Sequence, residues 1–250
     1  MLNNNIIILD IETLPNKELI EKSICRKMGF STYEEYVEFE NQHVKPGKTF
    51  FPKPIFHKII NIGLFYISQN LNYKYKNFFA NTEEELLYDY WVGFGKCKLP
   101  TIVSYNGILF DMPIISMMTG KYMMNYKDEF CLSTIERYHS KDDTWEKYGP
   151  NYLNRFSKYH IDLSKNMGYP IPSLIEACSL YNIPAKTEAF GNDVVNMNME
   201  DIRKYCKEDV MATAKLWTHH MLMHSIDFAN QDFYDINSLI DNEIAEEDNF

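Results

Sequence analysis

The stretch that decides the fold is IIILDIET, residues 6–13, close to the beginning of the chain. Its first four residues form an unbroken apolar run, which is typical of a buried central strand. Asp10 and Glu12 follow this run, and because side chains alternate along a strand, both carboxylates point to the same face. Two neighbouring acids raise each other's pKa unless a cation neutralises them. The stretch therefore predicts a site for a divalent cation that prefers oxygen ligands, Mg²⁺ or Mn²⁺.

Two later segments carry acids that can join this pair. The segment SYNGILFDMP, residues 104–113, places Asp111 just after a predicted strand, and sites in open α/β sheets lie at the carboxyl ends of strands. The segment YCKED, residues 205–209, is predicted to be helical, so Tyr205 and Asp209 share one helical face. Four acids and a tyrosine that converge would form a site for two metal ions, which hold the attacking and leaving oxygens of a phosphodiester.

These three segments resemble the Exo I, Exo II and Exo III motifs of the DEDD 3′–5′ exonucleases, and the tyrosine at the start of the third resembles that of the DEDDy branch. The patterns NGILFDMP and YCKED are most similar to the proofreading exonuclease of family B DNA polymerases. Residues 4–220, approximately, resemble the stand-alone predicted exonucleases related to PolB. The resemblance implies a ribonuclease H-like α/β fold, with a mixed central sheet flanked by helices. Pattern alone indicates an α/β protein with a mixed sheet.

The resemblance also implies the roles of single residues. It assigns two Mg²⁺ or Mn²⁺ ions to four carboxylates. It gives Tyr205 the orientation of the attacking water, because a phenol with an ordinary pKa of about 10 is a poor base at neutral pH. The candidate catalytic residues are thus Asp10, Glu12, Asp111, Tyr205 and Asp209, of which the four acids are the candidate metal ligands.

Two groups of residues are candidates for contact with nucleic acid. The resemblance places four of them against the terminal nucleotides: Thr13, Leu14, Asn106 and Phe110. For Phe110, stacking on a base and packing beneath the loop are both open. A Pro- and Lys-rich loop over residues 43–58 offers four candidate phosphate contacts, for which a solvated loop is the alternative: Lys45, Lys48, Lys53 and Lys58.

Composition limits the class of protein. The 250 residues contain no basic and apolar leader of the secretory kind and no apolar stretch of about 18 residues, so neither secretion nor a membrane span is expected. Five cysteines without a CxxC pair argue against a disulfide framework and a zinc site, and favour a reducing, cytoplasmic location. The net charge of −10 argues against an extensive electrostatic duplex binder and suits an enzyme that holds a short single-stranded end.

The remaining chain is predicted to hold one domain over residues 1–225 and a solvated acidic tail over residues 226–250. Helices are expected over 17–42, 83–95, 173–181 and 198–224, and strands over 59–67, 73–80, 101–105 and 161–163. Residues 120–155 show too little periodicity for an assignment. The pair His160 and Asp162 could pass for metal ligands, but a structural role is preferred.

The predicted function is a metal-dependent 3′–5′ exonuclease that releases 5′-mononucleotides from single-stranded or frayed DNA, in repair or in proofreading. The expected partners are DNA 3′ ends and, in trans, a polymerase that lacks its own exonuclease. Two alternatives stay open. One is a 3′–5′ exoribonuclease, because no residue visibly reads a 2′-hydroxyl. The other is a catalytically silent module on the same fold that binds nucleic acid or acts as a scaffold.

Overall fold

The structure is a computed structural model that describes residues 4–45, 49–139, 152–154, 157–185, 191–224 and 230–245. Lys48, one of the predicted phosphate contacts, lies outside these residues. Among the described residues, no helix combines the length and the apolar character that crossing a membrane requires.

One mixed sheet organises the described part of the chain. Its strands are β1 (Ile6–Pro15), β2 (His57–Ile67), β3 (Tyr73–Phe78), β4 (Thr101–Ser104) and β5 (His160–Asp162). Their spatial order is β3-β2-β1-β4-β5. β1 pairs with β2 in antiparallel and with β4 in parallel orientation, which puts the IIILDIET stretch at the centre of the sheet. The predicted mixed sheet with a central first strand is confirmed.

Helices lie on both faces of this sheet. They are α1 (Lys17–Ile20), α2 (Arg26–Met28), α3 (Tyr33–Asn41), α4 (Glu83–Lys96), α5 (Asp111–Tyr122), α6 (Glu129–Tyr138), α7 (Leu174–Leu180), α8 (Met199–His224) and α9 (Asn230–Ala245). A π-helical turn, Glu21–Cys25, joins α1 to α2. A capping box is present at the start of α7, with Ser173 and Glu176 bonded to each other's backbone.

The alternation of side chains along β1 separates two hydrophobic cores. Ile7, Leu9 and Ile11 point into a core that is shared with α4, α5 and α6. Ile6 and Ile8 point the other way, into a core with α7, α8 and α9. Because side chains on a strand alternate, Asp10 and Glu12 continue this second row, and both acids face α8 at the end of the strand.

A glycine lets α8 approach the sheet under this acidic pair. Gly63 of β2 is the register partner of Asp10. A β-carbon at Gly63 would lie 2.7 Å from the Cys206 sulfur and 3.0 Å from a methyl group of Val210, both on α8. The space that any other side chain would need is therefore already filled by the helix that carries Tyr205 and Asp209.

Two regions differ from the prediction. The stretch over residues 120–155 contains α6, whose Cys131 and Ile135 are buried. The expected solvated tail is wrong for residues 230–245, because they form α9, and its Ile236 and Ile240 are fully buried in the second core. The high content of acids in this segment concealed an apolar face. α5 begins at Asp111 itself.

Candidate active site

A cleft of about 180 Å³ lies at the carboxyl ends of β1 and β4. It brings together eight of the predicted site residues with Ile11, Phe51 and Tyr105; the eight are Asp10, Glu12, Thr13, Asn106, Phe110, Asp111, Tyr205 and Asp209. The predicted residues come from three separate segments of the chain, and Phe51 comes from a fourth. The cleft is thus the place where the three sequence motifs meet.

The first segment reaches the cleft at an irregular point of β1. Glu12 is buried, with 5% of its surface exposed. Glu12 pairs with Asn61 in β2, whereas Thr13 pairs with Ile59, so one residue of β2 is skipped between them. Such a bulge bends the strand that carries the extra residue, which here is β2 at Ile60. Thr13 lines the cleft next to Glu12.

Asp111 is fixed to β1 by a hydrogen bond. The backbone N–H of Ile11 donates to its Oδ1 at 3.2 Å, and the side chain is 4% exposed. Burial raises the pKa of Asp111 to about 7, and the charge of Asp162 adds to the rise, while the backbone hydrogen bonds oppose it. Asp111 opens α5, where the helix dipole favours a negative charge. A cation in the cleft would remove the remaining cost of ionising this acid.

The loop before Asp111 is held in a tight conformation. Asn106 has a φ of +61°, and a β-carbon at Gly107 would lie 2.6 Å from that of Ser104. Asp162 accepts hydrogen bonds from the backbone N–H groups of Asn106 at 2.8 Å and Ile108 at 3.1 Å. The Asn106 Oδ1 is buried and accepts no hydrogen bond within the described residues. This oxygen is thus available to a ligand in the cleft.

His160 and Asp162 stabilise this loop. His160 bonds through one ring nitrogen to the Ser104 hydroxyl, at 2.8 Å, and through the other to the Tyr152 carbonyl, at 2.9 Å. Asp162 also accepts a hydrogen bond from the Ser164 hydroxyl at 2.8 Å. These contacts agree with the structural role that the sequence favoured for the pair.

α8 supplies the third segment. Tyr205 and Asp209 line the cleft from one face of the helix. Between them, the Cys206 thiol lies 3.7 Å from the backbone oxygen and 3.7 Å from the Oδ2 of Asp10. Burial, with the charges of Asp10 and Glu12, raises the pKa of Cys206 well above its ordinary value. The thiol therefore stays protonated and donates to Asp10, and it was not among the predicted site residues.

The cleft fits a divalent cation by its chemistry. Single ligand atoms of Asp10, Glu12 and Cys206 lie within 4.8 Å of one another. Four carboxylates line the cleft, whereas no lysine, arginine or histidine of the described residues does. Hard oxygen donors of this kind suit Mg²⁺ or Mn²⁺ better than a softer metal. The acids thus form a candidate metal site.

Phe51 and Phe110 give the cleft an aromatic wall. The rings of Phe51 and Phe110 are 5.6 Å apart, and His57 contacts both, at 4.7 Å from Phe51 and 5.5 Å from Phe110. Phe51 is 46% exposed. The sequence singled out Phe110 only. The one signal for Phe51 was its position among the lysines of the loop over residues 43–58.

The other predicted contacts lie outside the cleft. Leu14 follows Thr13 on β1 and does not line it. Lys45, Lys53 and Lys58 are exposed, and none of them lines the cleft. Lys53 and Lys58 do flank the segment that carries His57. A role in binding nucleic acid stays a prediction for these residues.

Comparison with known proteins points to one family. A family described as "Predicted 3'-5' exonuclease related to the exonuclease domain of PolB" matches residues 48–249. The matched region contains the second and third motifs, whereas Asp10 and Glu12 precede it. The acids of β1 are therefore connected to the matched region by the structure, which places Asp10 and Glu12 in the same cleft as Asp111 and Asp209. A search of curated proteins found no match.

Among solved structures, the chain is similar to the family B DNA polymerase from the hyperthermophilic archaeon Pyrobaculum calidifontis. The identity is 12% and the TM-score is 0.50, over 96% of this chain and 27% of the polymerase chain. The expected ribonuclease H-like α/β fold, with a mixed sheet flanked by helices, is confirmed. Because the chain spans about a quarter of that polymerase, this likeness speaks for the fold alone.

Proposed function

We propose that the protein hydrolyses single-stranded or frayed DNA from the 3′ end with the help of divalent metal ions and releases 5′-mononucleotides. The chain belongs to the family of predicted 3′–5′ exonucleases related to the exonuclease domain of PolB. The observation that carries this proposal is the convergence of four carboxylates and Tyr205 in one cleft. A polymerase that lacks an exonuclease of its own is the partner for which such an activity would be useful.

The acids are assigned to metal binding by their position and their chemistry. Asp10, Glu12 and Asp209 would be direct ligands, and Asp111 would hold water molecules or a second ion. Two bound divalent ions would lower the pKa of a water molecule and neutralise the charge on the leaving oxygen. The backbone N–H of Ile11 keeps Asp111 next to β1, so the acids of the first two motifs stay together before a metal arrives.

Tyr205 is assigned to the orientation of the attacking water. Its hydroxyl group is carried on α8, one helical turn before Asp209, so both face the cleft. Holding a water molecule in line with the scissile bond reduces the entropy cost of the attack. The role needs a hydrogen bond and no loss of the phenolic proton.

The aromatic wall is assigned to the terminal bases. Phe51 is nearly half exposed and stands beside Phe110 at the cleft, where a base could stack on either ring. Stacking tolerates every base, which suits an exonuclease without sequence preference. A paired end would first have to unstack and separate, at a cost of a few kcal/mol. Single strands and 3′ mismatches are therefore the expected substrates.

The test is a digest of 5′-labelled oligonucleotides in Mg²⁺ and in Mn²⁺, with DNA and RNA side by side. We expect shortening from the 3′ end, faster for single strands and mismatched ends than for paired ends, and none for a closed circle. Asp10→Ala should abolish it, whereas Asp89→Ala, at an exposed position of α4, should not. Cleavage of the circle would refute an exonuclease, and faster digestion of RNA would favour the exoribonuclease. Metal-independent binding without cleavage would favour the silent module.

A further inference from the structure

Two hydrogen bonds link a loop carbonyl to the hydroxyl of Thr13 through one histidine. The Nε2 of His57 lies 3.0 Å from the carbonyl oxygen of Pro52, and its Nδ1 lies 2.9 Å from the Oγ1 of Thr13. His57 is 1% exposed and touches the rings of Phe51 and Phe110. The histidine is thus enclosed directly behind the wall of the cleft, and it is outside the predicted set of site residues.

The partners of His57 determine which nitrogen carries the proton. A carbonyl oxygen can only accept, so Nε2 must be the protonated nitrogen. Burial lowers the pKa of His57, which keeps the ring neutral and leaves Nδ1 as an acceptor. The Thr13 hydroxyl then has to donate its single proton to Nδ1. The Thr13 oxygen then has only lone pairs left, so its hydroxyl group can accept a hydrogen bond from a ligand but cannot donate one.

Apart from Tyr205, whose hydroxyl can also donate, the polar side chains nearby share this polarity. The Asn106 Oδ1 is buried and accepts no hydrogen bond within the described residues. In their ionised form the carboxylates of the cleft only accept as well, and the Tyr105 hydroxyl donates away from the cleft, to the Pro172 carbonyl at 2.8 Å. The phosphates of a nucleic acid also only accept. A base edge offers donors that differ between bases, whereas the hydroxyl of the terminal sugar is a donor at every 3′ end.

We propose that His57 is a positioning residue that accepts a hydrogen bond from the Thr13 hydroxyl and so makes Thr13 an acceptor for the 3′-hydroxyl of the strand. The inference rests on the proposed function, because it needs a 3′ end in the cleft. It assigns to a buried histidine the recognition of a free hydroxyl end. The two ring nitrogens of His57 can be replaced separately by substitution, and they provide the test.

Two variants separate the hydrogen bond to Thr13 from the one to Pro52. In His57→Asn, the amide oxygen stands near the position of Nδ1, so the acceptor for Thr13 is kept and the bond to Pro52 is removed. In His57→Gln, the amide nitrogen stands near the position of Nε2, so the bond to Pro52 is kept and the acceptor for Thr13 is removed. A purely structural histidine would make both variants behave alike with every substrate.

The measurement is the ratio of kcat/KM for a DNA strand that ends in a 3′-hydroxyl to that for the same strand ending in 2′,3′-dideoxyribose, which has neither hydroxyl. Because both substrates meet the same enzyme preparation, a partly unfolded variant does not change the ratio. We expect the wild type to prefer the hydroxyl end by about 3- to 10-fold, the usual worth of one neutral hydrogen bond. His57→Asn should keep the preference. His57→Gln should lose most of it, and Thr13→Val should lose it with the histidine intact.

Other results would contradict either the role of His57 and Thr13 or the proposed exonuclease activity. A wild-type enzyme that digests both ends equally well would overturn this inference and leave the proposed exonuclease intact, whereas no digestion at all would refute the exonuclease itself. Equal ratios for the Asn and Gln variants would reduce His57 to a packing residue. A third substrate, ending in a ribonucleotide that has the 2′-hydroxyl and lacks the 3′-hydroxyl, tests the identity of the donor. If it matched the normal end, recognition of the 3′-hydroxyl would be wrong.

Discussion

A single buried carboxyl group, that of Asp111, connects the metal site to the stability of the protein. The pKa of Asp111 is about 7 in the folded protein, against an ordinary value of 3.8. Between these values the folded state binds a proton that the unfolded state has released. The metal-free protein therefore loses stability as the pH rises from about 4 to about 7, and the penalty stays constant above that.

Asp111→Asn should remove this dependence and raise the stability of the metal-free protein at pH 8 by a few kcal/mol, with less than half of that gain at pH 5. The amide oxygen can still accept the hydrogen bond from Ile11. Urea unfolding in EDTA at both pH values measures the difference, with Asp89→Asn on the surface of α4 as the control. An equal effect at both pH values would show that the charge of Asp111 is not the cause.

Tyr205 should affect the rate of hydrolysis and leave the affinity for metal unchanged. Tyr205→Phe removes only the hydroxyl, and without its positioning hydrogen bond the rate should fall by a factor on the order of 10² or less. Single-turnover hydrolysis and a metal titration separate the two effects. Tyr169→Phe is the matched control, because Tyr169 is 96% exposed. A marked fall in metal affinity would mean that the phenol takes part in holding the ion.

Among single residues, the sequence predicted those that occur in short motifs. It missed those that reach the cleft only because a loop folds onto it. Asp10, Asp111 and Asp209 each follow or lie on an element with clear periodicity, so their convergence could be inferred. His57 and Phe51 come to the cleft because the loop before β2 folds back on Thr13 and Phe110. No period in the sequence encodes such a contact between a loop and a strand end.

At the scale of elements, the distance between α8 and the sheet decides whether the third motif reaches the first two. Gly63→Ala should disturb this distance, because the added methyl group would lie 2.7 Å from the Cys206 sulfur. We expect a decrease of about 1–3 kcal/mol in the free energy of unfolding, the usual cost of overpacking, together with slower hydrolysis.

Gly120 of α5 is the matched glycine, since a β-carbon there meets nothing within 4 Å. Gly120→Ala should be neutral or stabilise the protein by up to about 1 kcal/mol, the difference in helix propensity. Chemical denaturation of both variants gives the comparison. Equal stability of the two would show that α8 has room to move and that Gly63 does not set the spacing.

α9 should contribute to stability through its buried face. Ile236→Ala and Ile240→Ala should each cost about 2–5 kcal/mol, because both side chains are fully buried in the second core. Ile244→Ala, one turn further and 39% exposed, should cost well under half as much. Thermal and urea unfolding measure the three variants. A similar small effect for all three would favour a loosely attached tail.

The elements that the sequence predicted are those with one strong period. β1 has an uninterrupted apolar run, and α8 a long helical pattern. α9 was missed because its apolar residues, Ile236, Ile240 and Ile244, stand four apart among many acids, and charge dominated the interpretation. Its attachment depends on interactions that only the fold provides, such as the bond from the Lys207 amine to the Glu243 carbonyl at 2.9 Å.

For the whole molecule, a net charge of −10 limits the electrostatic share of binding to nucleic acid. If Lys53 and Lys58 bind phosphates, the double alanine variant should hold single strands more weakly, and its salt slope should be shallower by about 0.7 for each phosphate that is no longer neutralised. Binding is best measured in EDTA over a range of salt concentrations. The charge-matched control is Lys96 with Lys98, both exposed beside the N-terminal end of β4. Identical slopes for both pairs would make the loop lysines ordinary solvated surface.

The separation of the motifs along the chain has a consequence for synthesis of the protein. Cys206, which touches Asp10, is 196 positions away from it, and Asp209 follows three residues later. While a ribosome is still adding residues 14–200, the emerging polypeptide has its first acids but no partner for them from α8. A product terminated within that range would thus carry no complete site. In the proposed nuclease, the growing chain therefore cannot hydrolyse nucleic acid before α8 has been translated.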